Sequence, residues 1–368
     1  KPGPQHVMHE PHYPPHQYYP GSIKKGDPIL PAILELWEEG ENVFLNMIIT
    51  RLDPSKVKFK LAPTYTLYMA TRYRASTHFK KISPEERAHR LTAFTNQVAA
   101  MIHQVIQDPY RDPGTLAFWL ANSSELLHFL KQDRHLSPYT LDAQDYLAES
   151  VQQAFKIFVE YSQNELHSAL PLFFEEPDKD GNEISKTSKI LNALSNAMSL
   201  LRDCRVNAAL TIQLFSQLLH FINMSLFNVL IGSTNYNYCS EQWGLILKSR
   251  LSMIGHWAHN HGIELAAECH LGRIVQATDL LIANKLALEN LNDFNRHFFK
   301  LNSLQMRNIL ERFVPGPNEQ PIPSEMIENV VKFVEVNADE VARNEGREIK
   351  LEEDPDLKFP FLLPDDGY

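Results

Sequence analysis

The segment "GHWAHNHGIELAAECH", residues 255–270, holds the densest set of potential metal ligands in the sequence. Its candidates are His256, His259, His261, Glu264, Glu268, Cys269 and His270. Imidazole, thiolate and carboxylate groups are the ligands that zinc takes in proteins, and a zinc-bound water can act as the nucleophile of a hydrolase. The chemistry that this histidine cluster suggests is therefore metal-dependent hydrolysis.

The spacing of the histidine cluster argues against that chemistry. Gly262 is expected to separate two helices, with His256 and His259 at the end of the first one. Glu264 and Glu268 share a face of the second helix, but no histidine lies at the spacing typical of a helical metal site. We therefore expect no bound metal, and we keep the three histidines between 256 and 261 as the candidate ligands of an alternative zinc-dependent hydrolase.

Other catalytic signatures do not occur in a usable context. The sequence has no Walker A, GxGxxG or GxSxG motif. Several histidines lie in residues 1–30, but Pro11, Pro14 and Pro15 exclude the helix on which a HExxH zinc site depends. This Pro-, His- and Tyr-rich stretch predicts a flexible linker. We expect no catalytic or cofactor-binding residue, no cofactor and no enzyme activity.

The overall composition excludes further classes of function. The chain has 368 residues, of which 43% are hydrophobic and 22% charged, and its formal net charge is -10. Nucleic-acid readers and proteins that bind anionic membrane surfaces depend on clustered Lys and Arg, so neither partner is expected. The three cysteines, Cys204, Cys239 and Cys269, lie far apart without a CxxC pair. This pattern predicts reduced thiols in a cytoplasmic protein.

Helical periodicity dominates from Pro31 onward and must position any functional side chain. The stretch "GTLAFWLANSSELLHFLKQDR", residues 114–134, is apolar on two faces, which predicts a helix enclosed by neighbours. Buried Asn and Ser side chains need hydrogen-bond partners, so we expect Asn122 to tie this helix to the backbone of a neighbour. The sequons at Asn122 and Asn223 fall inside apolar helical patterns and are interpreted as chance matches.

A second apolar helix is predicted between Val206 and Ile231. This stretch contains no Asp, Glu, Lys or Arg, which raises the possibility of a membrane span. Polar side chains recur at almost every turn, however, so a buried central helix is favoured and no direct membrane insertion is expected. The side chains that we expect in the structural core are Trp119, Asn122, Leu127, Leu130, Phe155, Phe215, Phe221 and Phe227.

The C-terminal segment, residues 346–368, is acidic and ends in "LEEDPDLKFPFLLPDDGY". It is too rich in proline for a helix and too apolar to be free of contacts. We predict that it lies extended in a groove of the helical body or waits for a partner. The side chains expected to dock there are Phe359, Phe361, Leu362 and Leu363.

Two blocks resemble the signature of the dilute domain, the helical cargo-binding domain of class V myosin tails. They are "FWLANSSELLHFLKQ" and "IQLFSQLLHFINMSLFNVLI". Further runs are similar to the afadin and Canoe branch of this family. Examples are "FKLAPTYTLYMATRY", "ELAAECHLGRIVQAT" and the C-terminal run. The resemblance covers nearly everything from Pro31 to Tyr368.

The resemblance implies an all-α, elongated multi-helix body of the globular-tail type over residues 31–345, with extended N- and C-terminal segments. It also implies a non-catalytic protein-interaction module of an adherens-junction scaffold, which links adhesion receptors and small-GTPase signalling to actin at the cytoplasmic face of cell–cell junctions. A motor-cargo adaptor of the class V myosin type is the alternative. The partners would be junctional or cytoskeletal proteins that bind in grooves of the helical body.

The Ras-association, forkhead-associated and PDZ domains of the afadin branch are not recognisable here, so we expect this chain to be one module of a larger protein. Matches in the core blocks report the fold and not the partner, and no partner-binding residue is assigned from them.

Overall fold

The computed structural model of the chain describes residues 32–77, 81–285, 290–338 and 350–352. Within these ranges the regular elements are helices, and the only extended pairing is an isolated bridge between Ser240 and Val314. The prediction of an all-α fold is therefore confirmed. The described residues divide into two compact units: those within 32–108 and 122–150, and those within 109–121 and 151–352. The predicted linker at residues 1–30 lies outside the described residues.

The first unit is organised around two helices that pack against each other, α2 (Ala62–Ala75) and α3 (Pro84–Gln107). A short α1 (Glu41–Leu45) continues into a π-helical turn before them. Residues 122–150 contribute most of α4 (Pro113–Gln132) and the beginning of α5 (Leu141–Ala169). The core of this unit includes the buried side chains Leu45, Ile49, Leu67, Phe94, Val98, Ile102 and Leu130.

The second unit contains the rest of α4 and α5 and the helices that follow. These are α6 (Ile184–Asp203), α7 (Ala208–Gly232), α8 (Glu241–Asn260), α9 (Glu264–His270), α10 (Gly272–Ile282), α11 (Leu291–His297), α12 (Ser303–Arg312) and α13 (Ser324–Asn337). Helix α7 packs against α9, α10 and α12, and α8 packs against α10. Since α7 has neighbours along much of its length, its apolar side chains form the centre of this unit.

Helix α7 is the one described helix that is long and apolar enough to cross a membrane. In its most apolar window, 67% of the residues are buried inside the protein. Phe215 and Phe227 of this helix are fully enclosed. Polar side chains at nearly every turn of α7 favour burial inside the protein, because there they can form hydrogen bonds with neighbouring helices.

Local sequence signals explain where α3 begins. The Ser83 hydroxyl accepts a hydrogen bond from the amide of Glu86 at 3.1 Å, as an N-cap does, and Pro84 occupies the first helical position. Glu85 and Glu86 place negative charge in the first turn, where it interacts favourably with the helix dipole. The pattern predicts that α3 begins at Pro84, and α3 begins there in the structure.

Two segments differ from the simplest interpretation of their patterns. The alternating run at residues 56–63 predicts an exposed extended segment, but it forms turns and bends before α2 begins at Ala62. The pattern after Glu264 predicts one helix to Leu286, whereas the described chain has α9 and α10, separated at Leu271. The second difference has a long-range cause. Asn223 Oδ1 of α7 accepts a hydrogen bond from the amide of Ile274, in the first turn of α10, at 2.9 Å.

Candidate interaction surface

The histidine cluster lies around the turn between α8 and α9. His256 and His259 are exposed, and His259 pairs with Glu264 across the turn. The ring of His261 stacks on Trp257, with 4.3 Å between ring centroids, and its Nδ1 donates to the Trp257 carbonyl at 2.8 Å. Among the described residues, no three His, Cys, Asp or Glu side chains are grouped so that they could hold a metal ion. The structure therefore brings His259 and Glu264 together as a surface pair.

The His259–Glu264 pair has a simple electrostatic consequence. The hydrogen bond from His259 to the Glu264 carboxylate, helped by their opposite charges, raises the pKa of His259 above 6.5. Both side chains are more than half exposed, so water and salt screen the interaction. An exposed pair of this kind lacks the enclosure that catalytic acids and bases use to hold a perturbed pKa.

A cavity of about 260 Å³ lies beside α8 and α10. Its lining includes Lys248, Asp279, His297 and Phe298. The carboxylate of Asp279 is 2.7 Å from the Lys248 ammonium, so it is already neutralised by an ion pair. The cavity thus offers polar and aromatic contacts, and its lining residues include no Ser, Thr or Cys that could serve as a nucleophile.

The side chains expected in the core lie on α4, α5 and α7. Trp119, Asn122, Leu127, Leu130, Phe155, Phe215 and Phe227 are buried. Phe221 differs, because it is only partly buried on α7. None of these side chains lines the cavity beside α8 and α10. The aromatic residues of the two signature blocks therefore serve packing, with Phe221 at the margin.

The feature that stands out on the surface is an extended segment bound along α7. Leu351 donates its amide hydrogen to Asn228 Oδ1 at 2.8 Å, and Asn228 Nδ2 donates to the Leu351 carbonyl at 2.9 Å. His220 Nε2 donates to the carbonyl of Glu352 at 2.9 Å. All three hydrogen bonds go to the backbone of the segment and none to its side chains. The surface formed by Gln213, Gln217, His220, Met224 and Asn228 is called the α7 face below.

The segment runs in the opposite direction to α7. Lys350 lies next to Gly232, where an added Cβ would be 3.2 Å from the lysine Cε. Leu351 pairs with Asn228, and Glu352 pairs with His220, which lies nearer the start of the helix. Leu351 is partly buried, while Lys350 and Glu352 are exposed. The α7 face therefore holds a short antiparallel peptide.

Neighbouring helices fix the C-terminal end of α7 beneath this segment. The Arg312 guanidinium, at the end of α12, donates to the carbonyls of Ile231 and Leu230 and to that of Ser233 at 2.7 Å. The last carbonyls of a helix have no partner within it, and a cation there also interacts favourably with the helix dipole. Arg312 thus holds the helix end four residues beyond Asn228.

Sequence reasoning did not single out the polar side chains of the α7 face as a site. These are Gln213, Gln217, His220 and Asn228, spaced four, three and eight residues apart. The spacing is nonetheless a detectable signal, because it places them on one face of a largely apolar helix. The aromatic and leucine side chains predicted to dock at residues 359–363 lie outside the described residues. Their docking stays a prediction.

Comparison with known families supports a dilute domain in this chain. Residues 213–317 match the DIL domain family. Human unconventional myosin-Vb is 22% identical over 386 aligned residues, which cover 93% of this chain and 20% of that protein. The human Ras-associating and dilute domain-containing protein is 23% identical over 394 residues, covering 91% of this chain and 35% of that protein. The chain thus spans about a fifth to a third of these relatives.

Solved structures share the fold over most of the chain. The structure of Myo2-GTD in complex with Smy1 superposes with a TM-score of 0.63 at 18% identity, covering 88% of this chain and 86% of that one. The myosin V cargo binding domain gives 0.62 at 17% identity, covering 86% and 85%. The chain therefore has the fold of the myosin V globular tail, as the resemblance implied.

Proposed function

We propose that this chain is a non-catalytic protein-interaction module that binds extended segments of partner proteins. The observation that carries the proposal is the peptide on the α7 face, held by hydrogen bonds to its backbone at Leu351 and Glu352. A surface that pairs with peptide backbone can accept segments of differing sequence, as other peptide-recognition domains do.

The likeness to myosin tails supports a cargo-adaptor role. Myo2-GTD has been solved in complex with Smy1, and a related structure is a myosin V cargo binding domain. By analogy with them, this chain recruits a protein partner and performs no chemistry on it.

A junctional scaffold is the second candidate, favoured by the runs that resemble afadin and Canoe. The match to a Ras-associating and dilute domain-containing protein shows that relatives with this domain are not all named as myosins. In this version the module acts in the cytoplasm at cell–cell adherens junctions, within a protein that connects adhesion receptors and small-GTPase signalling to actin. Its partners are then junctional or cytoskeletal proteins.

Crosslinking mass spectrometry in a lysate of cells that form adherens junctions tests both candidates. The wild-type chain is compared with Met224→Asp, which places a charge on the α7 face, and with Leu265→Asp, a matched change on the exposed surface of α9. We expect partners that crosslink to wild type and to Leu265→Asp but not to Met224→Asp.

The identity of the captured partners separates the two roles. Junctional or actin-associated proteins support the scaffold, and organelle-bound or motor-associated proteins support the cargo adaptor. If no protein crosslinks to the folded wild-type chain, the interaction module is contradicted. If both aspartate variants keep the same partners, the module binds through another surface.

A further inference from the structure

The pairing between Asn228 and Leu351 has the form of a strand contact made by a side chain. One carboxamide accepts from the amide of Leu351 and donates to its carbonyl, so both polar groups of a single residue's backbone are satisfied. Any residue that keeps its backbone N–H can form both bonds, and only proline lacks the donor. Asn228 therefore recognises an extended backbone without selecting the side chain at this position.

Two further carboxamides lie on the same face, closer to the start of α7. Gln213 Oε1 and Gln217 Nε2 are buried and have no hydrogen-bond partner among the described residues. The Gln217 residue is only 7% exposed, so bulk water does not readily replace that partner. Buried polar groups are nearly always paired in folded proteins. Further peptide groups, bound along the direction in which residues 350–352 run, would supply the missing hydrogen-bond partners of these two atoms.

The segment bound to the α7 face belongs to the same chain and is held locally by few contacts. Its described anchors are the two bonds at Leu351 and the one from His220 to Glu352. Lys350 and Glu352 are exposed, so the described part of the segment buries little side-chain area. One of these three hydrogen bonds is exposed and two are partly buried, so few interactions have to break for the segment to open locally while the helices remain folded.

We propose that the α7 face is a backbone-reading peptide site whose resident occupant is the chain's own segment at residues 350–352. A partner segment binds there by replacing this occupant, in the same antiparallel direction and with a residue other than proline opposite Asn228. This inference rests on the proposed function. It adds that the partner segment binds on the α7 face and that residues 350–352 compete with it. A tethered occupant competes at an effective concentration of about millimolar, so it weakens the apparent affinity for a segment in trans.

The test uses the full chain and a fluorescein-labelled peptide of residues 346–368 as the probe, with binding measured by fluorescence anisotropy. Leu351→Pro removes the amide donor from the resident segment, whereas the matched control Leu351→Ala keeps it. We expect Leu351→Pro to bind the peptide about tenfold or more tightly than wild type and Leu351→Ala, because the tethered competitor is weakened. Adding Asn228→Ala to Leu351→Pro should remove this gain.

Amide hydrogen exchange gives a second readout in the absence of added peptide. Exchange at Leu351 should be faster in Asn228→Ala than in wild type, while exchange within α8 stays unchanged and shows that the fold is intact. Equal peptide binding by Leu351→Pro and Leu351→Ala, including no binding by either, overturns the proposal. So does a double variant that binds as tightly as Leu351→Pro. Partner capture by the wild-type chain in the crosslinking experiment would still leave the interaction module standing.

Discussion

Asn122 and Asn223 each cap a helix to which they do not belong. Asn122 Oδ1 accepts from the amide of Thr64 at 3.2 Å, the third residue of α2, and Asn223 Oδ1 accepts from that of Ile274 at 2.9 Å, the third residue of α10. Both helices have a leucine at the N-cap position, Leu61 and Leu271, which cannot cap. The buried asparagine replaces the missing cap in each case.

This role predicts that Asn122→Ala and Asn223→Ala each lower the free energy of unfolding by about 1–3 kcal/mol, the usual consequence of leaving a buried donor without its acceptor. Asn122→Ala also frees the Lys60 carbonyl, which accepts from Asn122 Nδ2 at 2.8 Å. Urea denaturation measures the change. The control is Asn260→Ala at the exposed end of α8, expected to change stability by less than about 0.5 kcal/mol. Equal effects at all three positions would remove the capping explanation.

The same contacts bear on the two glycosylation sequons. Asn122 and Asn223 are 1% and 3% exposed, so their side chains are inaccessible in the folded protein. The carboxamide of Asn122 uses its nitrogen to donate to the Lys60 carbonyl. A glycan at Asn122 would break that bond, and there is no room for it at either site. Their interpretation as chance matches therefore has a structural basis.

The His259–Glu264 pair gives a prediction about pH. The hydrogen bond from His259 to Glu264 raises the His259 pKa above 6.5, so NMR titration of wild type should give a higher value than that of Glu264→Gln. A raised folded-state pKa means that the stabilisation is fully present below pH 6.5 and is lost as pH rises through the folded pKa. Glu268→Gln, one turn further along α9, is the control and should leave the titration unchanged. An identical His259 pKa in all three proteins would contradict the pair.

At the scale of helices, two glycines of α8 occupy opposite environments. A Cβ built on Gly244 would lie 2.8 Å from the Leu281 Cβ and 3.2 Å from the Thr278 carbonyl oxygen of α10. A Cβ built on Gly255 would meet no atom within 4 Å. Gly244 therefore permits the close approach of α8 and α10, whereas Gly255 contributes no such packing.

We predict opposite effects for the two alanine substitutions. Gly244→Ala forces apart two packed helices and should destabilise the protein by about 1–3 kcal/mol. Gly255→Ala should stabilise it by up to about 1 kcal/mol, because alanine favours the helix and restricts the unfolded chain. Thermal unfolding followed by circular dichroism measures both changes. If Gly244→Ala does not destabilise the protein, α8 and α10 are not in close contact at Gly244. Destabilisation by Gly255→Ala would contradict the open environment of Gly255.

Helix starts and stops could be predicted where their causes are local. Ser83 and Pro84 mark the start of α3 in the sequence, and the structure begins the helix there. The division between α9 and α10 could not be predicted, because its cap comes from Asn223, 51 residues away in sequence. Alternation at residues 56–63 gives the wrong expectation for a similar reason. The peptide oxygen of Lys60 is bound by Asn122, 62 residues later in the chain.

At the scale of the whole molecule, the fold was accessible from the sequence, whereas the peptide bound to the α7 face was not. The amphipathic pattern reports which side chains are buried, and the enclosed Phe215 and Phe227 follow from it. The α7 face depends on a contact between Asn228 and Leu351 across 123 positions, which no local pattern encodes.

Trp119 links stability to binding in the protein as a whole. Its side chain is 1% exposed and meets Phe118 edge to face, with 5.3 Å between ring centroids. Trp119→Ala should lower the free energy of unfolding by about 3–5 kcal/mol, the usual result of removing a buried aromatic side chain. Trp37→Ala is the matched control, because Trp37 is 51% exposed and should contribute about 1 kcal/mol or less. Denaturant unfolding of both variants measures the difference.

The stability lost in Trp119→Ala is a large part of the total stability of a typical domain, about 5–15 kcal/mol. The melting temperature of the variant is therefore lower, and close to it a fraction of the molecules is unfolded. Partner binding should then fall in proportion to the folded fraction and recover when the temperature is lowered. A Trp119→Ala protein of normal stability that fails to bind would instead place Trp119 in the partner interface. Since Trp119 lies far inside the fold and the α7 face lies at its surface, we expect binding to follow folding.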